Sequence, residues 1–175
     1  MSADKHHHWA PACAHAELNV EFEQPQFSWR GHGYVDMNFG SEPLEKGFDY
    51  WDWSRTPLSD GDTLIRYVTD PKDAPQRALC LRFSPNGEMV ETQSTSSHTL
   101  PATRIWRVKR RTGMLEGKRA HIDRTLEDTP FYSRTLLQYP GGTAGLTTHE
   151  TLSCKRLKSP LVKAMLPFRM PRLSL

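Results

Sequence analysis

Long apolar runs and an excess of one charge are both missing from this sequence of 175 residues. No segment reaches the roughly 18 to 20 consecutive apolar residues that a membrane-spanning helix requires. The charges nearly balance, with 23 Lys and Arg against 20 Asp and Glu and a formal net charge of +3, so we expect no nucleic-acid partner. No apolar leader follows the first residue, and we therefore expect a cytoplasmic protein, with peripheral attachment to the cytoplasmic membrane as a second option.

Cysteine is too rare and too scattered for a disulfide framework. Cys13, Cys80 and Cys154 are odd in number and far apart, so we expect them to be reduced and mostly buried. Long helices are disfavoured as well, because 13 prolines and 11 glycines divide the chain into short segments. At this length and with 37% hydrophobic residues, the chain suits one domain that covers residues 1–175.

Short segments of alternating polarity predict β-strands. Between residues 16 and 23, apolar Ala16, Leu18, Val20 and Phe22 alternate with polar residues, which is typical of a strand with one solvated face. The other segments with the β-branched and aromatic composition of strands are residues 63–69, 77–83, 88–92, 103–109, 131–139 and 147–153.

Turn residues separate these segments. Asn86 and Gly87 match a type I′ hairpin turn, and Pro140 with the two glycines after it marks a second reversal. One short helix is predicted over residues 160–166, with Ser159 as its N-cap. Many short strands and a single short C-terminal helix predict an all-β fold, an antiparallel barrel or sandwich.

Aromatic residues concentrate between residues 27 and 55. Their rings are those of Trp29, Tyr34, Phe39, Phe48, Tyr50, Trp51 and Trp53. Any single ring is readily explained as core packing. Asp36, however, shares a strand face with Tyr34 and Asn38, and a carboxylate among rings is rare unless it is paired or functional. Asp36 is therefore the candidate site residue of this segment.

The same segment resembles a known family. Its motifs are GHGYVDMNFG at residues 31–40, EPL at 42–44 and WDWSR at 51–55. The similarity continues in TLEDTPFYSR at residues 125–134, and in SPL and MLPFRMP between residues 159 and 171. These motifs are similar to the signature of the carotenoid 1,2-hydratases, also called hydroxyneurosporene synthases, and the likeness spans nearly the whole chain.

The resemblance implies an activity and an architecture. Members of that family add water across the C1–C2 double bond of acyclic carotenoids such as neurosporene and lycopene, without a redox or metal cofactor. The implied fold is lipocalin-like and has two β-rich halves, of which this chain is similar to the C-terminal one. The resemblance thus also implies a partner, the missing N-terminal half.

Site residues follow from the resemblance as well. The proton-donating aspartate of the family corresponds to Asp36, its neighbouring tyrosine to Tyr34, and the upstream His-x-Trp pair to His7 and Trp9. These four residues form the predicted catalytic site. The rings expected to contact the substrate are those of Trp51, Trp53 and Phe39.

This chemistry suits the residue types. A proton delivered to C2 of an unactivated alkene leaves a tertiary cation at C1, so the acid must keep its proton near neutral pH. Burial of a carboxyl among aromatic rings favours that protonated form. A hydrogen bond from His7 or Tyr34 would orient the carboxyl, and a tryptophan ring would face the cation. Asp49 and Asp52 are the next candidates for the acid.

Histidines near Asp36 raise the alternative of a metal site. They are His6, His7, His8, His15 and His32. Neighbours on a strand alternate faces, so His6 and His8 point together and opposite His7, and no tetrahedral set results. We therefore expect no metal.

Two other charged clusters are interpreted without a functional role. The basic cluster around Trp106 is interpreted as a solvated face. The Glu127-Asp128 pair is interpreted as structural.

The C-terminal segment, residues 155–175, has six basic residues and no acid. Such an end favours peripheral contact with an anionic membrane surface, or a short helix that closes the barrel with its charges in water.

Two other functions also stay open: a lipocalin-like module that binds an apolar ligand without chemistry, and an inactive truncated fragment.

Overall fold

Alternating polarity produces strands through most of the chain. The computed structural model of the protein describes residues 6–168. Its strands are β1 (His7–Phe22), β2 (Phe27–Gly40), β3 (Phe48–Pro57), β4 (Thr63–Pro71), β5 (Arg77–Phe83), β6 (Met89–Glu91), β7 (Ser97–Leu100), β8 (Arg110–Gly113), β9 (His121–Asp128), β10 (Tyr132–Gln138) and β11 (Thr147–Ser153). Its helices are α1 (Leu44–Gly47), α2 (Cys154–Leu157) and α3 (Pro160–Met165).

Three antiparallel sheets result from these strands. The central sheet has seven strands in the order β6-β5-β4-β3-β11-β10-β9, and it is open, with β6 and β9 at its edges. β1 and β2 form a separate two-stranded ribbon, from His7 opposite Gly40 to Phe22 opposite Phe27. β7 and β8 form a second, shorter ribbon. The predicted all-β antiparallel fold is confirmed.

The face of the central sheet that meets the β1–β2 ribbon is apolar. Side chains on a strand alternate between the two faces, and β3 and β4 direct Trp53, Ile65 and Tyr67 to this side. Ala14 of β1 packs into the same cluster. Burial of this apolar surface is the main favourable contribution to joining the ribbon to the sheet.

The opposite face is polar, although it is buried. Its buried side chains include Asp52, Ser54, Thr56, Arg66, Thr147, His149 and Thr151. Arg111 of β8 donates to Asp52 Oδ2 at 2.8 Å and forms an ion pair with Asp70 at 2.8 Å. Arg66 of β4 donates to the Ser97 hydroxyl at 2.8 Å. Hydrogen bonds of two arginines thus hold the β7–β8 ribbon against this face.

Residues 103–109 do not form the predicted strand. The segment is a turn in which Arg107 has φ of 52°, and the Asp128 carboxylate accepts the backbone N–H of Ile105 at 2.8 Å. The Val108 N–H donates to the Thr103 hydroxyl at 2.9 Å. These side-chain acceptors replace the backbone partners that a strand ladder would supply, which is why the β-branched composition is overridden.

The predicted type I′ turn at Asn86-Gly87 is also wrong. Gly87 has φ of 90°, whereas Asn86 has no positive φ, and a type I′ turn needs both. The Gly87 N–H donates instead to the Ser84 carbonyl at 3.0 Å. Pro85 fixes φ near −65° at the first central position, which selects a type I turn followed by a left-handed glycine. The chain still reverses here, with one residue more than predicted.

The C-terminal helix is confirmed as α3, which begins at Pro160. Ser159 occupies the N-cap position but makes no capping hydrogen bond through its side chain. Cys80 and Cys154 are buried, Cys13 is half-buried, and all are free. None of the helices within residues 6–168 is long and apolar enough to cross a membrane.

Two opposite pKa shifts lie side by side on the polar face. Burial raises the pKa of Asp52 to about 6, against the lowering effects of Thr151 and Arg111. Burial also lowers the pKa of His149 to about 4, and its Nε2 lies 3.8 Å from Asp52 Oδ1. The His149 contribution to stability is lost as the pH falls through 6.5 towards 4. The Asp52 contribution is present below its ordinary pKa of 3.8 and is lost as the pH rises through 6.

The two contributions therefore offset each other between pH 4 and 6. Asp52→Asn removes the titration of Asp52, so the loss of stability that His149 causes at low pH should no longer be offset. Between pH 7 and pH 4 the variant should lose about 2 kcal/mol more unfolding free energy than the parent, as measured by urea unfolding at each pH. The control is Asp123→Asn, which removes an exposed carboxylate and should follow the parent. Equal pH profiles for Asp52→Asn and the parent would contradict the assigned shifts.

Candidate functional site

The carboxylate of Asp36 lies on the inner face of the β1–β2 ribbon. Pro11 is its partner across the ribbon. Trp9, two residues before Pro11 on β1, faces the same side of the ribbon. The Trp9 indole N–H donates to Asp36 Oδ2 at 2.6 Å, and the Tyr34 hydroxyl donates to the same oxygen at 3.1 Å. Both donors contact Oδ2, so neither of these bonds occupies Oδ1 of this half-buried carboxyl.

Aromatic rings of the central sheet face this carboxylate. The Tyr34 ring lies 4.9 Å from Trp53, and the Trp9 ring lies 5.1 Å from Tyr67. Tyr67 in turn stacks on Trp51, with the ring centroids 5.7 Å apart. The structure thus brings together five of the predicted residues: Asp36, Tyr34, Trp9, Trp51 and Trp53. We call the rings of Tyr34, Trp9, Trp51 and Trp53, together with that of Tyr67, the aromatic wall.

Tyr67 was missed in the sequence analysis. It lies on β4 opposite Trp53 of β3, so the sheet register places it beside the predicted rings. Its strand was predicted, and alternation within residues 63–69 puts Tyr67 on the same face as Ile65. No local signal connects that face with β2, because the contact depends on tertiary packing of the ribbon.

Both tyrosines of the site remain protonated. Burial raises the pKa of Tyr34, and the charge and hydrogen bond of Asp36 raise it further. Burial likewise raises the pKa of Tyr67, with a smaller contribution from the Asp36 charge. The Tyr34 phenol is therefore a permanent hydrogen-bond donor to the carboxylate near neutral pH.

A cleft of about 200 Å³ opens beside Trp9. Its lining residues are Trp9, Tyr67, Thr69, Arg77, Ala78, Leu79 and Glu91. Since Trp9 bonds the Asp36 carboxylate through its indole N–H, one tryptophan both lines the cleft and contacts the acid. An apolar group in this cleft would contact Trp9 and Tyr67, two residues of the aromatic wall.

His7 lies elsewhere on the ribbon. It pairs with Gly40, whereas Asp36 pairs with Pro11. His7 and Pro11 are four residues apart on β1, which corresponds to about 13 Å along the strand. Its buried imidazole Nε2 shares a hydrogen bond with Glu42 at 3.2 Å and its ring lies 5.0 Å from Phe48. The carboxyl of Asp36 is thus oriented by Tyr34, as one option predicted, and by Trp9, not by His7.

Phe39 is separated from the carboxylate by the alternation of β2. Asp36 points inward, whereas Phe39 lies on the outer face with Val35 and Met37 and is 57% exposed. Its ring stacks on His8 at 5.0 Å. Phe39 therefore has no place in the aromatic wall, and the outer face of the ribbon presents a row of exposed apolar side chains.

The two reserve candidates for the acid lie away from the aromatic wall. Asp52 is on the polar face, bound to Thr151 at 2.6 Å and to Arg111, in a region with no space for a ligand. Asp49 forms an ion pair with Lys155 at 2.9 Å. Within residues 6–168 no three His, Cys, Asp or Glu side chains are placed to hold a metal ion.

Known proteins resemble this chain over nearly its full length. The family model described as "Carotenoid hydratase CrtC" matches residues 1–174. A protein named acyclic carotenoid 1,2-hydratase from Thiocapsa roseopersicina is 44% identical over 95% of this chain and 41% of its own length. The proteins of that name from Rubrivivax gelatinosus and Rhodobacter capsulatus are 36% and 34% identical, over 41% and 61% of their lengths.

A solved structure agrees with the lipocalin-like fold. A protein from Nitrosomonas europaea, provisionally assigned as AttH, superposes with a TM-score of 0.53 at 18% identity, over 84% of this chain and 52% of that one. The chain spans about two to three fifths of the length of the curated relatives it matches. The matched family model nevertheless covers nearly all of this chain, which belongs to the carotenoid hydratase CrtC family.

Proposed function

We propose that this chain carries the proton-donating site of an enzyme that adds water to the C1–C2 double bond of acyclic carotenoids such as neurosporene and lycopene. The observation that supports this function best is the Asp36 carboxyl, fixed by two neutral donors in front of the aromatic wall. The relatives named acyclic carotenoid 1,2-hydratase supply the substrate class.

The first step is transfer of a proton from Asp36 Oδ1 to C2 of the alkene. The C1–C2 π bond breaks, a C2–H bond forms and a tertiary cation remains at C1. The N–H of Trp9 and the O–H of Tyr34 stabilise the carboxylate that this step creates, since hydrogen bonds to a carboxylate favour its charged form. Their contribution is therefore greatest as the proton leaves.

The second step is attack of water on C1. The faces of Trp9, Trp53 and Tyr67 stabilise the cation until water arrives, each by about 0.5–2 kcal/mol. The water oxygen forms a bond to C1, and its surplus proton returns to the Asp36 carboxylate. The sum is alkene plus water to tertiary alcohol, with the acid regenerated and no electrons exchanged.

The remaining part of the longer relatives supplies the proposed partner. The outer face of the β1–β2 ribbon leaves Val35, Met37 and Phe39 between 52% and 57% exposed, and exposed apolar rows usually mark an interface. We assign this face to an N-terminal half like that of the relatives, which extend well beyond the matched region. We further propose that the assembly acts at the cytoplasmic membrane, where an apolar carotenoid is dissolved.

A binding module without chemistry would use the same aromatic wall. The Asp36 carboxylate distinguishes the two functions, because an apolar ligand gains nothing from a carboxylate that needs two donors to be accommodated. The enzyme is therefore the better account of this site.

Asp36→Asn should abolish formation of the 1-hydroxy carotenoid while leaving the fold intact, because the amide is nearly isosteric and supplies no comparable proton. Product is measured by liquid chromatography with lycopene and neurosporene. The assay uses this chain alone and this chain preceded by the N-terminal region of the Thiocapsa roseopersicina relative. Chelators should leave the rate unchanged.

Asp123→Asn is the matched control, since this exposed carboxylate lies on β9. It should hydrate at the parent rate. Loss of activity in Asp49→Asn or Asp52→Asn with full activity in Asp36→Asn would reassign the acid. Ligand binding without product in both chain formats would instead support the binding module.

Trp9→Phe and Tyr34→Phe should each lower kcat by about 10- to 100-fold, because each removes one donor from Asp36 Oδ2 and keeps an aromatic ring. Tyr139→Phe is the control. It removes a tyrosine hydrogen bond of 2.7 Å to the Gly113 carbonyl, away from the aromatic wall, and should leave kcat unchanged. Parent-like kcat in both donor variants would show that these bonds do not assist proton transfer.

A further inference from the structure

The turn at residues 104–109 exposes an apolar pair among cations, and we call it the basic tip. Ile105 is 49% exposed and Trp106 is 38% exposed. Arg104, Arg107 and Lys109 are also exposed. Adjacent exposed Ile and Trp side chains with flanking cations are typical of surfaces that enter the interfacial region of a membrane.

The backbone of the basic tip is held in place from both sides. Asp128 accepts the N–H groups of Ile105 at 2.8 Å and Trp106 at 3.4 Å. Arg156 of α2 donates to the carbonyls of Trp106 at 2.6 Å and Arg107 at 3.3 Å. Because these bonds fix the turn in advance, little conformational entropy is lost when its side chains dock.

The cations of the basic tip are free to meet an anionic surface. Within residues 6–168, the side chains of Arg104, Arg107 and Lys109 make no hydrogen bond or ion pair. Among the acids nearby, Asp49 pairs with Lys155, whereas Asp128 accepts neutral backbone N–H groups and keeps its charge. The three free cations outnumber this one charge, so the surface is cationic.

A cleft of about 580 Å³ adjoins the basic tip and extends the positive charge. Its charged lining residues are Asp49, Asp70, Lys109, Arg110, Arg111, Lys155 and Arg156. Arg110 and Arg111 are already bound to groups of the protein, whereas Lys109 borders the cleft without a partner among the described residues. A phosphate group could thus lie between the cleft and the tip.

Most described cations of the C-terminal segment have partners within the protein. Lys155 pairs with Asp49, Lys163 pairs with Glu45 at 2.5 Å, and Arg156 holds the basic tip. Arg169 and Arg172 lie outside the described residues. In the described part of this segment, most of the basic side chains therefore bind other groups of the protein.

We propose that the basic tip docks on a membrane that contains anionic phospholipids, with Ile105 and Trp106 in the interface and the three free cations at the headgroup phosphates. Trp prefers the headgroup level of a bilayer, and cations close to an anionic leaflet strengthen attachment. A soluble phosphate would share the charge contacts but not the apolar ones. This inference does not require the proposed reaction.

Vesicle co-sedimentation of the full chain tests the proposal without any activity assay. The chain should bind vesicles of phosphatidylcholine with about one third phosphatidylglycerol, and not vesicles of phosphatidylcholine alone. The triple variant Arg104→Gln/Arg107→Gln/Lys109→Gln should lower the partition coefficient by about tenfold or more. Ile105→Ser/Trp106→Ser should also lower it, by about tenfold.

The matched control removes three exposed cations elsewhere, with Arg30→Gln/Arg119→Gln/Arg124→Gln. It should stay within about twofold of the parent, and circular dichroism should show every variant folded. Equal losses in the control and tip triples would overturn the proposal, as would equal binding to neutral vesicles. Displacement from vesicles by millimolar inorganic phosphate, with calorimetric binding of that phosphate alone, would replace it with a free-phosphate site.

Discussion

The β1–β2 ribbon is held on the central sheet by side-chain contacts and not by a shared strand ladder, since its described strands pair only with each other. Trp9 meets Tyr67, Tyr34 meets Trp53, and Arg55 donates to the Ala14 carbonyl at 3.1 Å. Without the hydrogen bonds of a shared sheet, these contacts, together with the packing of Ala14 and the His7–Phe48 ring contact, hold the Asp36 carboxylate in front of the central sheet. A shift of one residue in the ribbon would turn Asp36 to the outer face.

Two buried environments follow from the alternation of β3. Trp53 faces the ribbon, whereas its neighbour Asp52 faces the polar side and is paired with Arg111. Asp52 is fixed by hydrogen bonds to Arg111 and Thr151, and it lies in a region with no space for a ligand. Asp36, by contrast, accepts hydrogen bonds from two neutral donors and faces the aromatic wall. β3 thus has Asp52 on its polar side and the β1–β2 ribbon with Asp36 on its apolar side.

Strand positions could be predicted from the sequence because alternation is a local signal. The strand at residues 77–83 coincides with β5, and that at residues 147–153 with β11. Residues 103–109 were misassigned because the acceptor that shapes them, Asp128, lies 22 residues or more away. The Asn86-Gly87 turn failed because the preceding proline changes the turn type, which shows that a dipeptide signal depends on its neighbours.

The candidate site was predictable in part for the same reason. Tyr34 and Asp36 share a strand face by spacing, and the family resemblance added Trp9. The place of His7 beside Phe48 and the inclusion of Tyr67 depend on how the ribbon lies on the sheet. Strand spacing alone also places Phe39 on the outer face, opposite Asp36, because successive side chains of a strand alternate.

Hydration in heavy water tests the central claim most directly. If a carboxyl that exchanges with solvent protonates the alkene, the 1-hydroxy product should carry one deuterium at C2, detected by mass spectrometry and proton NMR. Asp36→Asn should then form no labelled product. A hydroxylated product without deuterium at C2, or labelling at the parent rate in Asp36→Asn, would contradict proton transfer from Asp36.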